Sequence, residues 1–235
     1  LLSERIGMAL FTRGDVTPAE VKYPIGVPAV TAEYIAGYPR QLNELALIAG
    51  IGSQPEETLR YPEFPDGKAD SVTSATGELK ADFRRNTFSA VTPRSEAFVL
   101  PEGATGAGKV LEVTSGKGFG VYAAISLDGA PLAESGRLLV LQLTDVLSEG
   151  ARFASADRKL YLERPANSPG LLRHGTAEIS LALPAAGWKL HALGLSGKRL
   201  MEVPFQSRDG KLSFHADNFA GGNTIWGYEL VRDAK

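Results

Sequence analysis

The chain has 235 residues, 43% of them hydrophobic, a formal net charge of −2 and no cysteine. The length suits one large domain or a domain with a smaller attachment, and the apolar share supports a buried core, which excludes global disorder. The charge balance argues against nucleic acid or a membrane surface as partner, the short, interrupted apolar stretches cannot span a bilayer, and the lack of cysteine removes disulfides, thiolate catalysis and cysteine-based zinc sites.

In chain order, "LLSERIGMALF" spaces Leu2, Ile6 and Leu10 four apart behind Ser3, which predicts a helix with one apolar face. It has no basic start followed by a small-residue cleavage site, so it is not read as a signal peptide. A chain opening on Leu1 is expected to be a mature form, a processed product or a piece of something longer. "TRGDVTPAEVKYPIGVP" breaks the helix with Gly14, Pro18, Pro24 and Pro28. A second helix is predicted in "YPRQLNELALIAGIG", where Leu42, Leu45, Ala46 and Ala49 share a face and Gly50 and Gly52 stop it. "SQPEETLRYPEFPDGK" is rich in proline and acid and reads as a linker. Residues 1–68 thus form a helical and irregular segment.

From residue 69 to residue 235 the character changes. "GELKADF", "TFSAVT", "SEAFVL", "KVLEVTS", "FGVYAAISLDG", "RLLVLQLTDV", "TAEISLAL", "WKLHALGL", "LMEVPF", "KLSFHA" and "TIWGYELV" are short alternating runs separated by turn signals. They predict a mainly β domain, an antiparallel β-sandwich of jelly-roll or immunoglobulin-like type. No repeat is visible, which disfavours a propeller or solenoid. Leu79, Ala81 and Phe83 share one strand face and Lys80 and Asp82 the other. "RRN" turns the chain, and Phe88 and Ala90 return on the buried side, a hairpin with one wet face. Pro93 then bends the chain after Thr92.

The stretch "SATGELKADFRRNTFSAVTPRSEAFV" resembles the start of a β-sandwich that follows the barrel in bacterial glycoside hydrolases of the TIM-barrel superfamily. The family pattern is S-D-T-G-E-L-x-x-D followed by x-V-x-T-P-R-T-Q, matched here by Ser74, Thr76, Gly77, Glu78, Leu79, Asp82, Thr92, Pro93, Arg94 and Ser95. Ala75 and Glu96 depart from it. "VYAAISLDGAPLAESGRLLVLQLTDV" resembles a later run of the same family through Ser126, Leu127, Asp128, Gly129, Pro131, Leu132, Ser135 and Arg137. "WKLHALGLSGKRLMEVPF" with "TIWGYELV" resembles its closing strands, and "ERIGMALFTRGDV" with "LNELALIAGIG" segments that complete the barrel. "LSEG", Leu147 to Gly150, departs from the family's Asn-Thr-Gly.

The resemblance implies a parent enzyme that cleaves glycosidic bonds with two carboxylates, roughly 5 Å apart in a retaining enzyme, at the ends of barrel strands. A chain that reads mostly as strand has no room for eight strand–helix units. The catalytic pair is therefore expected to be absent, and the chain to be a non-catalytic accessory portion. Its implied partners are a TIM-barrel catalytic domain and polysaccharide, and its implied location is extracellular or periplasmic. Alternatives are a carbohydrate-binding module and a structural or adhesive sandwich. A free-standing enzyme would need a convergent cluster of perturbed acids in a cleft.

Candidate site residues are few. Glu78, Asp82, Glu96 and Glu112 read as a solvated face or turn anchors. His174, His191 and His215 lack metal spacing. Asp217, Asn218 and Asn223, in the Gly-rich "FHADNFAGGNTIW", are oxygen donors that could hold a structural calcium, without an EF-hand pattern. No other cofactor is expected: "EGATGAGKV" lacks the Ser/Thr and helix of a phosphate loop. Trp188, Trp226, Tyr228, Tyr122 and Tyr161 could stack on the apolar face of a sugar, although alternation favours their burial. Tyr34, Tyr38 and Tyr61, in the irregular N-terminal third, are better placed for exposure.

Overall fold

The computed structural model describes residues 12–17, 25–26, 53–54, 71–74, 76–154, 161–163, 167–183, 187–208 and 210–232. The two predicted helices and Tyr34, Tyr38 and Tyr61 lie outside these residues. The chain divides into two compact units, Leu1–Val99 and Leu100–Lys235, so the strand-rich region read from residue 69 onward is shared between them. The described structure is mainly β, and its sheets are antiparallel apart from a two-residue parallel pair, Ile25–Gly26 with Ser53–Gln54. Among the described residues no helix is long and apolar enough to cross a membrane.

The first unit carries an antiparallel meander: β1 (Ser71–Thr73), β2 (Leu79–Asp82), β3 (Thr87–Val91) and β4 (Ser95–Leu100). The hairpin predicted from "RRN" is present, with Asp82 opposite Thr87 and the loop over 83–86. Asn86 takes φ 54°, a left-handed geometry that asparagine tolerates. Asp82 Oδ1 accepts the Arg85 N–H at 2.8 Å and pins the loop. Ala81 and Ala90 face inward as read, while Phe83 has been drawn out of the strand into the turn.

The second unit contains two antiparallel sheets. One has the order β13-β12-β18-β8-β7, with β7 Gly120–Ser126, β8 Arg137–Leu143, β12 Trp188–Leu193, β13 Arg199–Glu202 and β18 Gly227–Arg232. The five-stranded sheet has the order β14-β15-β11-β6-β5, with β5 Thr105–Ala107, β6 Leu111–Lys117, β11 Thr176–Ala182, β14 Gln206–Arg208 and β15 Lys211–Asp217. Strand alternation puts Leu138, Val140, Leu190, Ala192, Tyr228 and Leu230 of the first sheet in the core, with Val113, Ile179, Leu181, Leu212 and Phe214 of the second. The Phe214 and Tyr228 rings meet edge to face across the layer, centroids 5.0 Å apart, so this unit is a β-sandwich. Three short two-stranded pairs complete it: β9 (Val146–Ser148) with β10 (Gly170–Leu172), β16 (Phe219–Ala220) with β17 (Asn223–Thr224), and Arg152–Phe153 with Tyr161–Glu163.

The residues that carry the family resemblance hold turns. Ser74 Oγ accepts the Leu79 N–H at 3.1 Å across a bend in which Gly77 has φ 73°. Thr92 Oγ1 accepts the Ser95 N–H at 3.0 Å in a turn that buries both side chains. Between β7 and β8, Asp128 Oδ1 accepts from Ser126 Oγ at 2.9 Å and Ser135 Oγ at 2.8 Å, and Oδ2 accepts from Gly136 N at 2.8 Å. Burial alone would raise the pKa of this carboxyl. The bonds from Ser135, Gly136, Ser126 and Ala130 outweigh it and bring the pKa down to about 2.

Candidate functional site

Glu78 and Arg94, on neighbouring turns of the first unit, both reach the segment 12–17. Glu78 Oε2 accepts the Thr17 N–H and Oε1 the Thr17 hydroxyl, each at 2.8 Å. Arg94 Nη2 donates to the carbonyls of Arg13 and Gly14, each at 2.8 Å. Arg94 Nε also lies 3.1 Å from Asp15 Oδ1, and Arg13 Nε lies 3.4 Å from Oδ2. The Asp15 side chain is fully buried, so it meets the two guanidiniums as ion pairs without a well-aligned hydrogen bond. Glu78 is thus an anchor, as the sequence suggested. Glu96 is 1% exposed and does not belong to a solvated face.

The second unit has an open cleft of about 400 Å³ at one end of the sandwich, lined by Leu171, Leu172, His174, Phe219, Thr224 and Trp226 among others. Two short hairpins build it. The turn of β16–β17 uses Gly221 and Gly222, both at positive φ (58° and 75°), which only glycine adopts freely and which tight hairpins require. Asn223 Nδ2 donates to the Gly221 carbonyl at 2.9 Å and closes the turn. Phe219 is left 56% exposed and, on β10, Leu171 is 51% exposed. Trp226 is half-buried beside them.

Asn218 joins the hairpin to segment 173–175. It is 1% exposed, and its amide is committed: Oδ1 accepts the Gly175 N–H at 2.9 Å, while Nδ2 donates to Thr144 Oγ1 and the Arg173 carbonyl, each at 2.9 Å. Asp217 Oδ1 accepts the Phe219 N–H at 2.8 Å and lies 2.8 Å from His174 Nε2. A carboxylate can only accept, so His174 donates from Nε2, and Nδ1 is the acceptor of the neutral ring. The Asp217 backbone is fixed from the core, its N–H donating to Tyr228 Oη at 2.8 Å. Burial pushes the Tyr228 phenol well above its ordinary value, so it stays protonated and donates onward to the Asp217 carbonyl at 3.0 Å.

The sequence candidates therefore divide. Trp226 and Asn218 line the cleft, Asp217 reaches it only through its bond to His174, and Asn223 lies in the β16–β17 hairpin. Trp188 is 7% exposed, with the Arg232 guanidinium 5.1 Å over its ring. Tyr122 and Tyr228 are core residues. Of the three oxygen donors considered for calcium, Asn218 has its carbonyl occupied, Asn223 serves its own turn, and Asp217 shares an oxygen between Phe219 and His174. Among the described residues no group of three or more His, Asp or Glu side chains is placed to hold a metal. Phe219, Leu171 and His174 also line the cleft, and no motif in the sequence marks them as binding residues. An exposed Phe beside Gly-Gly was the available signal.

Glu229, on β18, is another buried carboxylate. Its Oε2 accepts from Arg199 Nε at 2.6 Å and its Oε1 from Arg137 Nε at 2.7 Å. The Arg199 bond holds its pKa below the usual range against the opposing effect of burial, with Arg137 assisting. Both oxygens are engaged, so this group is a strand tie and offers no open acid or base. No protein-family model, no curated protein and no solved structure matches the chain.

Proposed function

We propose that this chain is the non-catalytic accessory portion of a polysaccharide-degrading glycoside hydrolase, secreted or periplasmic, where it stabilises a TIM-barrel catalytic domain and borders its substrate cleft. The observation that carries this reading is the double grip on segment 12–17. Glu78 and Arg94 belong to the two turns on which the family resemblance rests, and both commit their charged groups to chain lying upstream of the sandwich. Such charge-assisted bonds suit the joint of an accessory domain, because they fix the direction from which the preceding chain arrives. The test is the intact mass of the native gene product. About 250 or more residues ahead of Leu1, the length of a barrel, is the expected result. A native mass of 25.0 kDa would overturn the reading.

The cleft favours a second reading, a carbohydrate-binding module. Exposed Phe219 and half-buried Trp226 offer apolar faces beside polar His174 and Thr224. Retardation of the chain in gels cast with soluble polysaccharides tests it, and migration unchanged in every polysaccharide would exclude it.

A further inference from the structure

We propose that the cleft of the second unit takes a short neutral saccharide, its apolar ring face laid on Phe219 or Trp226 and its hydroxyls meeting His174 and Thr224. This rests on the carbohydrate-binding reading and adds the charge class of the ligand and the way it is held. The volume of about 400 Å³ lies within the roughly 300–1,000 Å³ usual for small-ligand sites. Leu171, Leu172, Phe219 and Trp226 supply the apolar wall, and a sugar ring joins an apolar face to a rim of hydroxyls.

The polar groups are open. Among the described residues neither His174 Nδ1 nor Thr224 Oγ1 has a protein partner. Asp217 fixes the ring tautomer that leaves Nδ1 as an acceptor, which suits a hydroxyl donor. The charge class follows from the same pair. Among the described residues no Lys or Arg lines the cleft. Arg173, next in sequence to His174, is paired with Asp145 at 3.3 Å. The Asp217 carboxylate therefore stands behind the imidazole with no lining cation among the described residues to offset it, and it disfavours a uronate or sulfated ring.

The test is calorimetric titration of the whole chain with neutral gluco-, xylo- and galacto-oligosaccharides and with oligogalacturonate. At least one neutral series should bind, and the uronate roughly tenfold more weakly or not at all. Phe219→Ala and Trp226→Ala should each weaken binding, roughly tenfold for the residue under the ring. Phe219→Ala should keep the wild-type melting temperature, because its side chain is exposed. Asp217→Asn should narrow the gap between neutral and acidic ligands. Uronate binding equal to or tighter than neutral binding overturns this inference and leaves the carbohydrate reading standing. Binding indifferent to both aromatic variants overturns the site. Failure of every saccharide to bind overturns both.

Discussion

Glu78 closes on Thr17 with both oxygens of its carboxylate, one on the backbone N–H and one on the hydroxyl, across 61 positions of sequence. Arg94 repeats the arrangement from the next turn, on two carbonyls. Hydrogen bonds to a charged group contribute about 1.5–3 kcal/mol when their geometry is good. Glu78→Ala should therefore release segment 12–17 without unfolding the meander. Amide exchange at Thr17 should rise steeply while β3 and β4 keep their protection. Arg94→Lys should be nearly as damaging as Arg94→Ala, since an ammonium cannot span two carbonyls and Asp15 in one plane.

Removal of Asn218 should be the most damaging single change near the cleft. Asn218→Ala strands the Gly175 N–H and the Arg173 carbonyl, and the loss should come to about 2–4 kcal/mol by chemical denaturation. Asn218→Asp keeps the acceptor for Gly175 but turns a buried carboxylate oxygen toward the Arg173 carbonyl, so its cost should be at least that of alanine.

Gly175 leaves no room for a side chain. A Cβ there would stand 2.8 Å from Thr144 Cγ2 and 3.1 Å from the Lys117 carbonyl. Its own carbonyl accepts from Gln142 Nε2 at 3.0 Å, so it cannot simply move away. Gly175→Ala should destabilise by about 1–3 kcal/mol, the usual range for overpacking, and should disturb the neighbouring His174 resonances in an NMR spectrum.

Acid should weaken the sandwich in a defined window. The folded Asp128 carboxyl titrates at about 2 against an ordinary 3.8, so its contribution is complete above about pH 4 and disappears as the pH falls through 2. Glu229 is shifted in the same direction and adds to the same slope. Urea midpoints measured between pH 5 and 2 should fall progressively. Asp128→Asn should be less stable at neutral pH and show a shallower acid limb.

Much of this architecture was legible in the alternating runs. Runs such as "KLSFHA" and "TAEISLAL" became β15 and β11 because each had enough apolar residues on one face to bury it. The strands that alternation does not reveal, among them Thr105–Ala107, Val146–Ser148, Gly170–Leu172 and Gln206–Arg208, are three residues long and mostly exposed. Partners in space define them, and periodicity needs a longer run to register. The cleft was half legible. Trp226 and the Asp217–Asn218 pair drew attention through residue type, but a buried amide that staples backbone and one that binds a ligand carry the same atoms. Only the positions of Gly175, Thr144 and Arg173 distinguish them. His174 looked like an ordinary loop histidine, and nothing local indicated Asp217, 43 positions away, as its partner.

The position of β18 has a consequence for how the molecule is made. Gly227–Arg232 pairs with β12 on one side and β8 on the other, in the middle of its sheet. During synthesis these two neighbours emerge from the ribosome with a gap between them, and the sheet stays split until nearly the last residues of this sequence are free. A β-sandwich already folds slowly because its contacts are distant in sequence. Here the final insertion also brings in Tyr228, which meets Phe214 and fixes the Asp217 backbone. A stop codon placed before Gly227 should therefore yield an open, aggregation-prone chain with no cleft, although every residue lining the cleft had been translated.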